Sequence, residues 1–198
     1  MRDLCPPYMA ASAHVSLVMV PLMEAALDRS RALAPTDPVA AGLIDYLERH
    51  IVEEMHGDEP GDVSLDDLAA LGVDVGALLV DPLPEKVAAL TGTLYFRILY
   101  AHPVAMLGLL WLEVYPPQAR SVERLIERTG LPREGFSQLL LHADLDVRHG
   151  EELQDVVDAL PLEPWHEQLI GLTALQSMGF LIDTWLEIVG DENAAGHP

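Results

Sequence analysis

Residues 141–150 read LHADLDVRHG. His142, Asp146 and His149 stand at i, i+4 and i+7, the spacing that stacks side chains along one face of an α-helix. Leu139 and Leu153 continue the same stripe, so this face is predicted to look into the protein. Two imidazoles and a carboxylate converging on one point make a metal site of intermediate hardness, suited to iron, manganese or zinc. The same spacing also arises on solvated helix faces that bind nothing. The remaining sequence decides between those readings.

Outward from the triplet, helical periodicity dominates and convincing period-2 strands are absent. The triplet's own helix is expected over residues 133–159. Upstream, helices are expected over residues 11–34 (bent by Pro21), over 38–55 after the Thr36-Asp37-Pro38 cap, over 64–72, in a short turn after Asp74, over 85–115 with a kink at Pro103, and over 118–129, closed by Gly130. Downstream, Pro161 and Pro164 precede a last long helix over 165–189. The polar tail 191–198 is expected to be disordered. With no internal repeat, residues 1–198 read as a single all-α domain, a bundle of about six or seven helices.

Half of the 198 residues are apolar but only 6% are aromatic, a Leu, Ala and Val bias that suits helices. Acidic residues number 32 against 11 basic ones, and a net charge of −21 repels phosphate backbones and anionic lipid. Nucleic-acid and membrane partners are therefore not expected. The longest apolar run, near residues 99–112, is interrupted by His102 and Pro103 and is too short to span a bilayer. The single cysteine, Cys5, permits no internal disulfide, and the first residues do not have the pattern of a secretory leader. A cytoplasmic protein is the expectation.

Two further stretches bear on the metal reading. Residues 104–115, VAMLGLLWLEVY, carry Glu113 as their one charge. A carboxylate buried alone costs several kcal/mol, so Glu113 either reaches solvent at the helix end or is held by a cation. Residues 50–59, HIVEEMHGDE, place Glu53 and His56 at i, i+3, with Glu54 beside them and His50 a turn earlier. A Glu-x-x-His pair on an inward helix face is the unit of carboxylate-bridged di-iron bundles, although paired glutamates at a helix end are also common surface chemistry. Counting one of Glu53 and Glu54, the three stretches supply three carboxylates and three histidines. Two ferrous ions would leave such a set near neutral, whereas without metal the carboxylates would repel one another.

The order of these units resembles the haem-oxygenase-like di-iron oxidases and oxygenases, a family of iron-containing redox enzymes. Its HxxEE…DDLxxLG segment is echoed by residues 50–72, its hPxxxLGxxxxE segment by 102–113, and its HxxxDxxH triplet by 142–149. The resemblance implies a helical scaffold without haem that holds two Fe2+ per chain, with Mn2+ as the alternative metal and O2 as co-substrate. It implies Glu53 or Glu54, His56, Glu113, His142, Asp146 and His149 as ligands, the di-iron centre itself being the catalytic group. Where the family has its first histidine, this chain has Gly57, and Pro60 replaces an aromatic. Either His56 turns inward through an altered helix end or the set lacks one ligand. Members oxidise fatty acids, amino acids or amines by N-oxygenation, desaturation or C–C cleavage, often in natural-product pathways. A small organic substrate is thus the expected partner, with a homodimer as a candidate assembly. Tyr95, Phe96, Tyr100 and Trp111 line either a pocket or simply the core.

Two other classes fit parts of the sequence. A ferritin-like bundle wants a second Glu-x-x-His unit, which Glu163 and His166 offer only across Pro164, and it leaves the triplet without a role. An acidic helical module that binds a partner protein would hold no metal at all.

Overall fold

The computed structural model describes residues 1–56, 59–60, 64–114 and 118–195, the side chains of 56, 59–60, 144–147 and 191–195 excepted. Helix α1 (Cys5–Leu33) begins earlier than its apolar pattern suggests, because Pro6 and Pro7 are suited to a first turn. Helix α2 (Pro38–Glu54) starts at Asp37, whose carboxylate accepts from the amides of Val39 and Ala40 at 2.9 and 3.0 Å. The chain leaves helical geometry at Met55, and β1 (Met55–His56) pairs antiparallel with β2 (Glu59–Pro60). Short helices α3 (Leu65–Ala70) and α4 (Val75–Val80) are capped by Ser64 and Asp74. Helix α7 (Ala119–Thr129) stops at Gly130, whose φ of 64° suits a residue without Cβ. A 3-10 turn (Arg133–Phe136) leads into α8 (Ser137–Ala159), and α9 (Pro164–Ala195) continues past Val189.

The expected single helix over 85–115 is instead two. Helix α5 (Glu85–Phe96) widens into a π turn (Arg97–Ala101), His102 is extended at φ −159° and ψ 143°, and α6 (Ala105–Leu110) follows before a 3-10 turn (Trp111–Val114). Pro103 forces this break, since its ring drives the preceding residue out of the α region. The break is also fixed from outside. The Val104 amide donates to His102 Nδ1 at 3.1 Å, so Nε2 carries the proton and lies 3.1 Å from Asp37 Oδ2. One residue thereby ties the α5–α6 break to the start of α2.

Two apolar clusters hold the helices. The larger runs from Met19, Leu22 and Met23 of α1 through Leu43 and Leu47 of α2 to Leu107 and Leu109 of α6 and Leu153 of α8. The smaller gathers Cys5 and Met9 of α1, Leu68 and Leu71 around α3, Val122 of α7 and Phe136. Backbones approach closely at two glycines. A Cβ on Gly108 would lie 2.5 Å from the Ile170 carbonyl oxygen, so α6 sits directly on α9. A Cβ on Gly150 would lie 3.1 Å from Val114 Cα, so α8 sits directly on the 3-10 turn that carries Glu113. Asp67 positions the other end of α8: it is buried, bonds Ser64 at 2.9 Å, and accepts from the Gln138 amide at 2.9 Å.

Candidate metal centre

His50, Glu54, Glu113 and His149 each offer a ligand atom, and these four atoms all lie within 4.8 Å of one another. Their elements explain the meeting. His50 and Glu54 are i, i+4 on the last turn of α2 and share a face. Glu113 comes from the 3-10 turn after α6, and His149 from α8, one residue before the glycine that seats α8 on that turn. The residues are 1%, 3%, 9% and 1% exposed, so this polar group lies inside the protein. His50 Nε2 stands 3.2 Å from Glu113 Oε2 and 3.9 Å from Glu54 Oε1. His149 Nδ1 stands 3.6 Å from Glu113 Oε2 and 3.7 Å from Glu54 Oε1.

These separations suit a metal ion. Ligand atoms that each sit about 2.1 Å from one cation must lie roughly 3–4 Å apart around it. Two neutral imidazoles and two carboxylates also neutralise one divalent ion, with a mixed nitrogen and oxygen set that iron, manganese and zinc accept. Around this group stand three further residues. Glu53 Oε2 lies 3.3 Å from His149 Nε2, and its other oxygen lies 3.3 Å from the Arg148 guanidinium, so Arg148 orients Glu53 towards the far nitrogen of the same histidine. Tyr46 packs its ring on that of His50, centroids 5.3 Å apart and planes 29° from parallel. Burial, then the carboxylates of Glu113, Glu152, Glu54 and Glu53, pushes the Tyr46 phenol far above its usual range, so it keeps its proton.

The residues proposed from sequence are distributed as follows. Glu54, Glu113 and His149 are brought together, and Glu53 touches His149 from outside the group of four. His142 is buried on α8, 3% exposed, and is not one of the four. The side chains of His56 and Asp146, and Gly57 altogether, lie outside the described residues. The pairing of Glu53 with His56 on one helix face needs correction, because α2 ends at Glu54 and His56 belongs to β1. His50 is the ligand candidate that the pattern Glu-x-x-His passed over. The signal for it was its i, i+4 relation to Glu54, which a search forward from Glu53 does not test. Glu163 and His166 do not form a second unit: the Glu163 amide donates to His166 Nδ1 at 3.0 Å, so His166 caps the start of α9.

The family model described as iron-containing redox enzyme matches residues 8–178. The chain belongs to that family. Among solved structures it matches the crystal structure of a domain of unknown function with a heme oxygenase-like fold from Shewanella denitrificans OS217. The TM-score is 0.79 with 16% identity, over 98% of this chain and 80% of that one. No curated protein matches the chain. The fold is therefore the all-α, haem-oxygenase-like bundle that the sequence resemblance implied, and the protein is an oxidoreductase of an iron-containing class.

Proposed function

We propose that this protein is a non-haem di-iron oxidase or oxygenase that uses O2 to oxidise a small organic substrate. The observation that carries the reading is the buried group of His50, Glu54, Glu113 and His149 in a chain of the iron-containing redox family. These four would hold one Fe2+. Glu53, which already faces the second nitrogen side of His149, together with the sequence candidates His56, His142 and Asp146, would supply the second. Mn2+ suits the same donors. Iron, when bound, supplies the one-electron chemistry that lets dioxygen react with a closed-shell molecule.

The chain's own residues prepare that chemistry. The carboxylates of Glu54 and Glu113 stay anionic against a divalent ion, and both histidines must present a neutral nitrogen, so binding releases any proton they carry. Tyr46 flanks His50 and limits the orientations its ring can take. Arg148 holds Glu53 from the solvent side, where Glu53 is 30% exposed, and so closes the outer edge of the site. The apolar surroundings of α6 keep water from the carboxylate of Glu113 and strengthen its attraction for a cation. The substrate class that fits the family resemblance is an amino acid, an amine or a fatty acid, oxidised by N-oxygenation, desaturation or C–C cleavage in a natural-product pathway.

The test is oxygen uptake. Protein loaded anaerobically with ferrous ion should consume O2 on mixing, faster than free ferrous ion in the same buffer. Loading with zinc should give no uptake. An iron-loaded protein that leaves O2 untouched, with and without candidate amines and fatty acids, contradicts the reading.

A further inference from the structure

Among the described residues, helix α9 is apolar on the side turned away from the bundle, with Ile182 at its edge also lining the cavity between α1 and α9. Its inward stripe, His166, Ile170, Thr173 and Ser177, is buried against the bundle. On the opposite side Leu172 is 50% exposed, Leu175 76%, Ile182 50% and Leu186 59%. With Gln168 and Gly179 these residues fall at alternating steps of four and three, the seam spacing of a helix that pairs with another helix. No charged residue occurs from position 168 to 182, in a chain that carries 32 acidic residues. The stretch is apolar enough to span a bilayer by composition, yet only 17% of its most apolar part is buried. A helix that is apolar all round is normally covered on all sides.

We propose that this face pairs with the same face of a second copy of the chain, α9 against its two-fold mate. Two observations favour that occupant. The first is charge. A second copy also carries −21, so two copies repel least where neither presents acids, and the stretch from 168 to 182 carries none. Of the acids next to the seam, Asp183 and Glu187 are engaged by Lys86 of α5 at 3.6 and 3.1 Å, to one side of it, and Glu167 lies beside Gln168 at its start. The second is shape. A Cβ on Gly171 or Gly179 would meet nothing within 4 Å, so the seam has room for a facing helix to come close. A single self-complementary patch is what a two-fold dimer requires. A bilayer is a poorer occupant, because Arg97 reaches across to Thr173 and Gln176 beside the seam and the chain's charge repels anionic headgroups.

Sedimentation equilibrium of the full chain, at micromolar concentration and with and without ferrous ion, tests the proposal. The parent should sediment at twice its chain mass of 21.7 kDa whether or not iron is present. Leu175→Glu should raise the dimer dissociation constant by about a hundredfold or more, since pairing would bury an unpaired carboxylate. Far-UV circular dichroism should stay unchanged, because Leu175 is exposed in the single chain. Ile182→Glu should act in the same way. A monomeric parent overturns the proposal, as does a dimer that survives both substitutions. A monomer that floats with phosphatidylcholine vesicles overturns it too, and assigns the face to lipid instead. None of these outcomes depends on the iron centre.

Discussion

His50 changes the ligand account more than any other residue. It sits at the last turn of α2, 3.2 Å from Glu113, and its ring is backed by Tyr46. His50→Ala should weaken ferrous binding by on the order of tenfold or more, read by titration under argon, whereas His50→Ala without effect would remove it from the set. Glu113 makes a different prediction. Removing a ligand also removes a buried carboxylate from an apolar element, so Glu113→Ala should leave the metal-free protein as stable as the parent or more so, while the thermal shift on adding ferrous ion disappears. A large loss of metal-free stability would instead show that Glu113 is structural. Glu113 and His149 were legible in the sequence because each is a titratable residue on an apolar stripe, whereas Glu54 was not distinguishable from Glu53 beside it. His50 was less so, because a Glu-x-x-His pattern read forward from Glu53 passes over the i, i+4 relation of His50 to Glu54.

At the scale of elements, the site depends on how three segments are seated. Gly150 lets α8 approach the 3-10 turn of Glu113, and Gly150→Ala should displace Val114 by a few tenths of an ångström. The expected result is weaker iron binding with little change in helix content, followed by circular dichroism beside the titration. The Asp37–His102 bond seats α2 against the α5–α6 break. Burial pushes the His102 imidazole below its usual range despite the pull of Asp37. Burial alone would raise Asp37, but the Ala40 amide, His102 and the Val39 amide together hold its carboxyl low. Both groups therefore favour the fold when deprotonated. The His102 contribution is complete above about pH 6.5 and declines as the pH falls from there towards its depressed folded value, while that of Asp37 is complete above about pH 3.9 and is lost below it. The stability gap between the parent and His102→Gln should accordingly narrow between about pH 7.5 and about pH 5.5, measured by urea unfolding. A gap that widens over that interval would contradict the assignment. The periodicity showed both α2 and α8, but read one helix over residues 85–115. That error has a local cause: a proline kink and a proline break carry the same letters, and the extended His102 is selected by Asp37, 65 residues away in sequence.

For the whole molecule, the helical class and the family were legible because apolar periodicity and motif order survive without a structure. The bare face of α9 was not, since a helix apolar on two sides reads as buried until its packing is seen. The same limit applies to the cavity of about 430 Å³ between α1 and α9, lined by Tyr8, Val15, Leu125, Ile182 and Trp185, which includes none of the four metal-site residues. A net charge of −21 surrounds a site whose two carboxylates attract cations, so ferrous association should slow as ionic strength rises. The central claim is that His50, Glu54, Glu113 and His149 bind iron, and elemental analysis after anaerobic ferrous loading and desalting tests it most directly. The account predicts bound iron at one to two equivalents per chain in the parent and a clear loss of it when Glu54 and Glu113 are both replaced by alanine. A parent that retains no iron, or a double variant that retains as much as the parent, would contradict it.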